Sequence, residues 1–320
     1  MMKPSDVIVI QGIKDKLHMA KKPLIASHIR PDGDAIGSII GLGLVLKNAR
    51  KDPQLVLSDG LPAKYRFLVG SQDVSNSINE DYDLVIALDC ADPNRLGKDF
   101  ADIPIDINID HHITNSGFGM LNLVLPEKAA TAAILAGILH QMEFTIEKDA
   151  ASALLMGILT DTIGFRTSNV SPETLRISAG LIETGADLSD LYEKSLVSQS
   201  FAACQLWGFA LSRLVRSGDI IWTSILLKDR QAVNYSGRDD ADLTNILSAV
   251  ENTKVSILFN EQNNGKVKVS WRSGSEVDVS KIAMSFDGGG HPPAAGAEVK
   301  GSLEEVQEIV LDRTRQFLSV

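Results

Sequence analysis

The chain has 320 residues, 44% hydrophobic and 22% charged, enough for two domains with separate cores, and its longest apolar runs, such as Ile36 to Leu46, are too short to span a bilayer. The 31 Lys+Arg against 41 Asp+Glu leave a net charge of −10, with no basic tail or Lys/Arg block of the kind that grips long duplexes. Only Cys90 and Cys204 occur, which excludes a disulfide framework and a CxxC zinc site, so any metal must rely on histidine and aspartate.

In chain order, an amphipathic helix is predicted from Ser5, a plausible N-cap, to about Ala20; the start MMKPSDVIV carries no signal-peptide core, so a cytoplasmic protein is expected. Strand and helix signals then alternate. The strand LIAS leads through HIRPDGD (28–34) into a glycine-containing apolar helix ending near Asn48. Strands follow at 55–57, 83–89 and 105–110, then apolar helices at about 128–142 and 147–160. This alternation implies an α/β fold with a mostly parallel, doubly wound sheet. A helical connector is expected over 188–216, dividing a catalytic domain, 1–187, from a smaller α/β domain, 217–320, with strands at 219–227, 254–260 and 266–272 and a last helix from Ser302. The active cleft is expected between these domains.

Three of the strands run directly into chemistry. Strands of a parallel sheet end on one edge, where ligands of open α/β folds bind. The tips would carry His28, Asp32 and Asp34, then Asp89, then Asp110, His111 and His112 into one place. So many carboxylates repel at a few ångströms in a low dielectric, and divalent cations are the simplest remedy. The acid is concentrated in this half: residues 1–193 carry 17 basic against 26 acidic side chains (−9), and residues 194–320 carry 14 against 15 (−1). Two divalent ions would cancel four of those charges, leaving a short nucleic acid or small phosphate as a reasonable substrate.

Each motif also has a plainer explanation. In HIRPDGD, Pro31 and Gly33 force a turn from which Asp32 and Asp34 can diverge toward two ions, although Asp34 could simply cap the next helix. Asp89 closes a run of buried-type residues, where an unpaired carboxylate costs several kcal/mol, yet it or Asp92 could only cap the turn before Pro93. His111 and His112 are expected to point to opposite sides of an extended segment, so that one binds metal and the other meets substrate. Asp161 ends an apolar helix, with Arg166 five residues on as a phosphate clamp or merely its ion-pair partner. In the second domain, Gly288, Gly289 and Gly290 before His291 could expose backbone N–H groups to phosphate oxygens, or form an ordinary loop; Trp271, Arg272 and Ser273 offer a second cation nearby. No GxSxG elbow or Walker-type phosphate loop occurs.

The segments HIRPDGD, DCADPNRLG, NIDHHITN followed by FG, TDT with FRTSN, and GGGH with AAG resemble, in the same order, the motifs of the DHH phosphoesterases that carry a DHH-associated (DHHA1) C-terminal domain. The nearest resemblance is to the bacterial nanoRNase and 3'-phosphoadenosine 5'-phosphate phosphatase type, with RecJ-like exonucleases more distant. This resemblance implies that His28, Asp32 and Asp89 hold one Mn²⁺, and that Asp34, Asp89, His111 and Asp161 hold a second, with Asp89 bridging. Asp110 would orient these ligands. His112 would contact the scissile phosphate and assist the leaving oxygen, while Asn115, Arg166, Arg272, Ser273 and Gly288 to His291 would hold the substrate. Oxygen ligands mixed with imidazole and no thiolate fit Mn²⁺ on chemical grounds too, with Co²⁺, Mg²⁺ or Zn²⁺ as substitutes.

The implied enzyme hydrolyses short oligoribonucleotides to nucleoside 5'-monophosphates, dephosphorylates 3'-phosphoadenosine 5'-phosphate, or both; its partners are short single-stranded RNA or small nucleotides, and the family implies a homodimer. The ions would lower the pKa of the attacking water and, with Arg166, take up charge developing at phosphorus. Alternatives are a phosphodiesterase of linear or cyclic dinucleotides, a polyphosphate or pyrophosphate hydrolase, and a metal-free nucleotide sensor. Two residues depart from the family pattern and bear on substrate preference: Ile163 stands where the family has glycine in the fourth motif, and Asp287 where it has the first of four glycines.

Overall fold

A computed structural model describes residues 3–79, 81–235, 237, 241–274 and 276–318. The chain divides into two compact units, the first ending at Ser198 and the second beginning at Gln199.

The first unit runs α1 (Pro4–Met19), β1 (Pro23–Ala26), α2 (Gly33–Asn48), β2 (Gln54–Val56), β3 (Val74–Ser75), β4 (Leu84–Leu88), β5 (Ile107–Asp110), β6 (Leu121–Val124), α3 (Thr131–Leu139), α4 (Lys148–Asp161), α5 (Pro172–Glu183) and α6 (Leu188–Tyr192). Ser5 is not the N-cap of α1. Lys3 is, because Pro4 fills the first helical position, where its missing N–H is no loss, and the Asp6 carboxylate accepts from the Lys3 amide at 3.0 Å.

The six strands form one parallel sheet in the order β3-β2-β1-β4-β5-β6. β1 and β4 are buried along their whole length, which explains their unbroken apolar sequences. On one face Ile25, Ile86 and Leu88 pack with residues of α1 to α4. On the other, Leu24, Ala26, Val85 and Ala87 pack with Leu96, Phe100 and Ile105. The sheet is therefore wound on both faces, but short 3-10 turns (Pro93–Leu96 and Lys98–Phe100) replace a helix on the second.

The glycines of α2 determine how closely it meets α4. A Cβ at Gly37 would lie 2.5 Å from the Ala153 carbonyl oxygen and 2.8 Å from the Gly157 Cα. Only glycine permits that approach, which brings the first turn of α2 beside the last turn of α4.

The expected connector over 188–216 is divided. α6 passes into a π turn at Glu193–Val197, and the chain is non-helical over 198–200. A new helix, α7 (Phe201–Leu211), then starts in the second unit, with the Ser200 hydroxyl accepting from the Ala203 amide.

The second unit continues with β7 (Val215–Ser217), β8 (Ile220–Ile225), α8 (Leu227–Ala232), α9 (Leu243–Leu247), β9 (Val255–Glu261), β10 (Lys266–Ser273), α10 (Val279–Met284), β11 (Gly289–His291), β12 (Ala294–Lys300) and α11 (Leu303–Leu318). Its sheet has the order β11-β12-β10-β9-β8-β7, antiparallel except for β8 with β9. Trp271 and Phe259 lie in its core against Val306 and Val310 of α11. Among the described residues, no helix is long and apolar enough to cross a membrane.

Candidate active site

The strand order of the parallel sheet reverses between β1 and β4, and the carboxyl ends of those strands frame the position where ligands bind in such sheets. His28 follows β1, Asp89 follows β4, and Asp110 ends β5. Asp32 and Asp34 open α2 and Asp161 closes α4.

Asp89 is the centre of the cluster. It is buried and has a φ of +53°, a left-handed conformation that aspartate tolerates better than most residues and that is often found at functional sites. Its Oδ2 lies 3.7 Å from His28 Nε2, and its Oδ1 lies 3.6 Å from His111 Nε2. His28 Nε2 is also 3.8 Å from Asp32 Oδ2; His111 Nε2 is 3.9 Å from Asp34 Oδ2 and 3.6 Å from Asp161 Oδ2. Three donor sets share Asp89, each within 4.8 Å: His28 with Asp32, His111 with Asp34, and Asp110 with His112; the last pair is closed by its own hydrogen bond, which leaves the first two to hold metal ions. Asp161 adjoins the second.

The sequence alternatives for these residues resolve individually. The cap of α2 is Asp32, accepting from the amides of Asp34 and Ala35 at 3.1 Å, and not Asp34. Asp34 instead reaches across to α3, whose N-cap, Ala130, has no capping side chain. It accepts from the Thr131 amide at 2.6 Å and the Ala132 amide at 2.9 Å. Thr131 also donates its hydroxyl to Asp89 Oδ1 at 3.0 Å.

His111 and His112 do not point to opposite sides. Asp110 Oδ1 accepts from both of their amides, at 2.8 and 3.2 Å, and folds the chain just past the end of β5. Both rings consequently approach Asp89 Oδ1, His112 through Nδ1 at 3.7 Å, and they meet edge to face with centroids 4.7 Å apart. His112 Nδ1 donates to Asp110 at 2.7 Å, which directs Nε2 away from that carboxylate. The other Asp110 oxygen accepts from Asn115 Nδ2 at 2.6 Å. Asn115 also donates to Asn108 and to the Cys90 carbonyl, and its own oxygen accepts from the Gly117 amide, so it braces the loop.

The electrostatics match the crowding. Burial, and then repulsion from Asp89 and Asp161, pushes the Asp34 carboxyl well above the usual carboxylate range. Burial pushes Asp161 up to about 7, the nearby Asp32 and Asp89 adding to it and His111 opposing. Burial would raise Asp89 too, but His28 and then the His112 and His111 imidazoles outweigh it and hold Asp89 below its ordinary value. Burial lowers His112, yet the Asp110 bond and the Asp89 charge raise it overall to about 9. The set combines the buried Asp34, Asp89, His28 and His111 with the more exposed Asp32 and Asp161, and four carboxylates beside two imidazoles suit divalent cations by their chemistry.

Arg166 lies exposed in the turn after α4, its amide donating to the Thr162 carbonyl at 2.8 Å. In that turn Ile163, Gly164 and Phe165 all have positive φ. For Ile163 this costs about 1–2 kcal/mol, because its Cβ crowds the backbone. Asp287 is also left-handed, at φ +56°, which aspartate tolerates better. Both departures from the family glycines thus fall where the backbone itself favours glycine.

In the second unit most of the glycine run lies in a strand. Gly289–His291 forms β11 at the sheet edge, paired with β12, with Gly288 just before it and Gly290 at a φ of +141°. Glycine is required there by close approach: a Cβ on Gly288 would lie 2.3 Å from the Gly296 carbonyl oxygen, and one on Gly290 2.5 Å from that of Ala294. Arg272 and His291 both pair with Ala294, so they share the face opposite buried Trp271, about 10 Å apart across two strand spacings. The Ser273 hydroxyl donates to the Val277 and Pro292 carbonyls.

The fold and the clustered donors define a class, and comparison with known proteins agrees. Residues 22–158 match the DHH family, N-terminal domain, and residues 231–319 match the DHHA1 domain. The chain belongs to the DHH phosphoesterase family, in its two-domain form. It is 36% identical over 302 residues to the bifunctional oligoribonuclease and PAP phosphatase NrnA of Thermus thermophilus, covering 92% of this chain and 90% of that one. It is 26% identical to the protein of that name from Mycoplasma genitalium, over 93% and 94% of the two chains. A crystal structure of an exopolyphosphatase-related protein from Bacteroides fragilis superimposes with a TM-score of 0.88 at 26% identity, over 98% and 96% of the chains.

Proposed function

We propose that this protein is a two-metal phosphoesterase that hydrolyses short oligoribonucleotides to nucleoside 5'-monophosphates and converts 3'-phosphoadenosine 5'-phosphate to AMP and phosphate. The observation that carries the reading is the pair of donor sets sharing one buried carboxylate, Asp89. The substrate class is supported by the Thermus relative named for both activities. In this reading His28, Asp32 and Asp89 hold one Mn²⁺, and Asp34, Asp89, His111 and Asp161 the other. When bound, the ions would lower the pKa of the attacking water and neutralise charge on the phosphate.

The chain's own groups do the rest. Thr131 and the first amides of α3 fix Asp89 and Asp34, so the carboxylates do not reorganise as charge develops. Asp110 takes the Nδ1 proton of His112 in a hydrogen bond, which orients Nε2 to donate to the leaving oxygen. Arg166 takes a phosphate oxygen, while Arg272 and His291 hold the rest of the nucleotide. Ser273 and Asn115, whose polar groups are engaged in their own loops, act by positioning.

The test is product analysis after incubation with Mn²⁺ on 3'-phosphoadenosine 5'-phosphate, RNAs of a few nucleotides, long RNA, pApA, cyclic dinucleotides and polyphosphate. AMP from the bisphosphate and 5'-monophosphates from the short RNAs are expected, with long RNA poor. Turnover confined to polyphosphate or to cyclic dinucleotides would overturn the reading.

A further inference from the structure

Arg95, in the 3-10 turn after β4, carries no role in the reading above, although its guanidinium stands at the edge of the cluster. The turn is held in place from two sides: the Ile29 amide donates to the Arg95 carbonyl at 2.6 Å, and the Ser58 hydroxyl donates to the Leu96 carbonyl at 2.6 Å. Arg95 is therefore anchored to the residue that follows His28. Its Nη2 donates to His28 Nδ1 at 3.1 Å, and among the described residues the guanidinium has no carboxylate partner. Half-buried arginines ordinarily have one, since an uncompensated charge away from water is costly.

The His28 contact is incompatible with the proposed chemistry of His28. Nδ1 also lies 2.9 Å from the Ile29 carbonyl oxygen, a bond in which Nδ1 must carry the proton. Arg95 needs that same nitrogen as an acceptor, which would leave the proton on Nε2, the nitrogen that faces Asp32 and Asp89. A cation held by Nε2 requires the tautomer bonded to Ile29. With a cation on Nε2, His28 would keep the tautomer bonded to Ile29, and Nδ1 would no longer accept from Arg95, whose guanidinium would then have no other side-chain partner among the described residues. An anion is what such a group takes.

We infer that Arg95 binds a substrate phosphate other than the one being hydrolysed, and so selects nucleotides with two phosphate groups. Arg95 meets His28 at the nitrogen remote from the carboxylates, one imidazole width from the donor sets, which favours a neighbouring phosphate over the reacting one. This rests on the phosphoesterase reading and refines it.

The experiment compares wild type, Arg95→Gln and Arg95→Lys on 3'-phosphoadenosine 5'-phosphate and on 3'-AMP, with Mn²⁺ affinity measured separately by calorimetry. Arg95→Gln is expected to raise KM for the bisphosphate about tenfold or more, as for a lost charge-assisted hydrogen bond, with kcat and the 3'-AMP constants nearly unchanged. Mn²⁺ affinity should be unchanged or slightly higher, and Arg95→Lys should recover part of the KM. Equal loss on both substrates, or weaker Mn²⁺ binding, would mean that Arg95 acts through His28 and would overturn the proposal. If wild type turns over neither substrate, the phosphoesterase reading fails by itself. Calorimetric binding of 3'-phosphoadenosine 5'-phosphate then still decides: weaker binding to Arg95→Gln supports Arg95, and equal binding overturns it.

Discussion

The two sheets of this protein treat their strand ends differently. In the first unit all six strands run the same way, so β1, β4 and β5 end on one edge, and three short segments bring His28, Asp89 and Asp110 to one point. In the second unit neighbouring strands mostly alternate in direction, so β10 and β11 bring Arg272 and His291 to one face of the sheet, separated by β12. A parallel sheet concentrates chemistry at its tips, whereas an antiparallel one offers a broad surface. Concentrated ligands suit metal ions, and a surface with spaced donors suits an extended nucleotide.

The largest effect should follow from breaking the concentrated site at its centre. Asp89→Ala removes the residue common to both donor sets, and kcat/KM with Mn²⁺ should fall by about a thousandfold or more, exceeding any other single carboxylate change. Near-normal steady-state kinetics would remove its central role. Asp110→Asn should cost about 10–100-fold in activity and metal affinity, since it orients His112 and folds the histidine pair without facing both donor sets. An unchanged Mn²⁺ titration together with unchanged rates would contradict this.

On the broad surface the expected effect is smaller and of another kind. Arg272→Ala should raise KM about tenfold and leave kcat less affected, as for uniform binding; a pure kcat loss would assign it to the chemistry instead. Gly37→Ala tests whether the α2 and α4 contact is needed to assemble the first site. With the Ala153 carbonyl oxygen 2.5 Å from the new Cβ, about 1–3 kcal/mol of stability should be lost on chemical denaturation.

The pH response sharpens the comparison last. Folding raises Asp161 to about 7 and His112 to about 9. For Asp161 the protonated form is favoured in the fold, so stability from it falls as pH rises from about 4 to 7. For His112 the stabilisation is complete below about 6.5 and is lost as pH rises through 9. Metal-free protein should therefore melt at a lower temperature at pH 9 than at pH 6, and Mn²⁺ binding should release protons below pH 7. A melting curve insensitive to pH over that range would refute the crowding of the site.

Much of the first unit can be read in the sequence because its signals are local. Apolar runs ending in aspartate or histidine give β1, β4 and β5, and the family motifs give the residues that converge there. The side-chain directions are less accessible, since they depend on partners distant in sequence. Asp34 serves α3, 97 positions on, and no pattern around Asp34 announces this; the absence of a capping side chain at Ala130 is the nearest hint. The histidine pair misleads because period-two alternation ends with the strand, and Asp110 turns the backbone just beyond it. The glycine run is hard to read for a related reason: the same residues that permit a loop also permit close strand pairing, and the partner β12 places Gly289 and Gly290 in a strand. β3 carries only two residues, too few for a periodic signal, and the break at 198–200 lies in a stretch of helical composition.

The most direct measurement is calorimetric titration of metal-stripped protein with Mn²⁺. Two ions bound per chain are expected in the wild type, and loss of high-affinity binding at both sites in Asp89→Ala. A wild-type stoichiometry of one or none, or two ions retained with unchanged affinity in Asp89→Ala, would contradict the two-metal account.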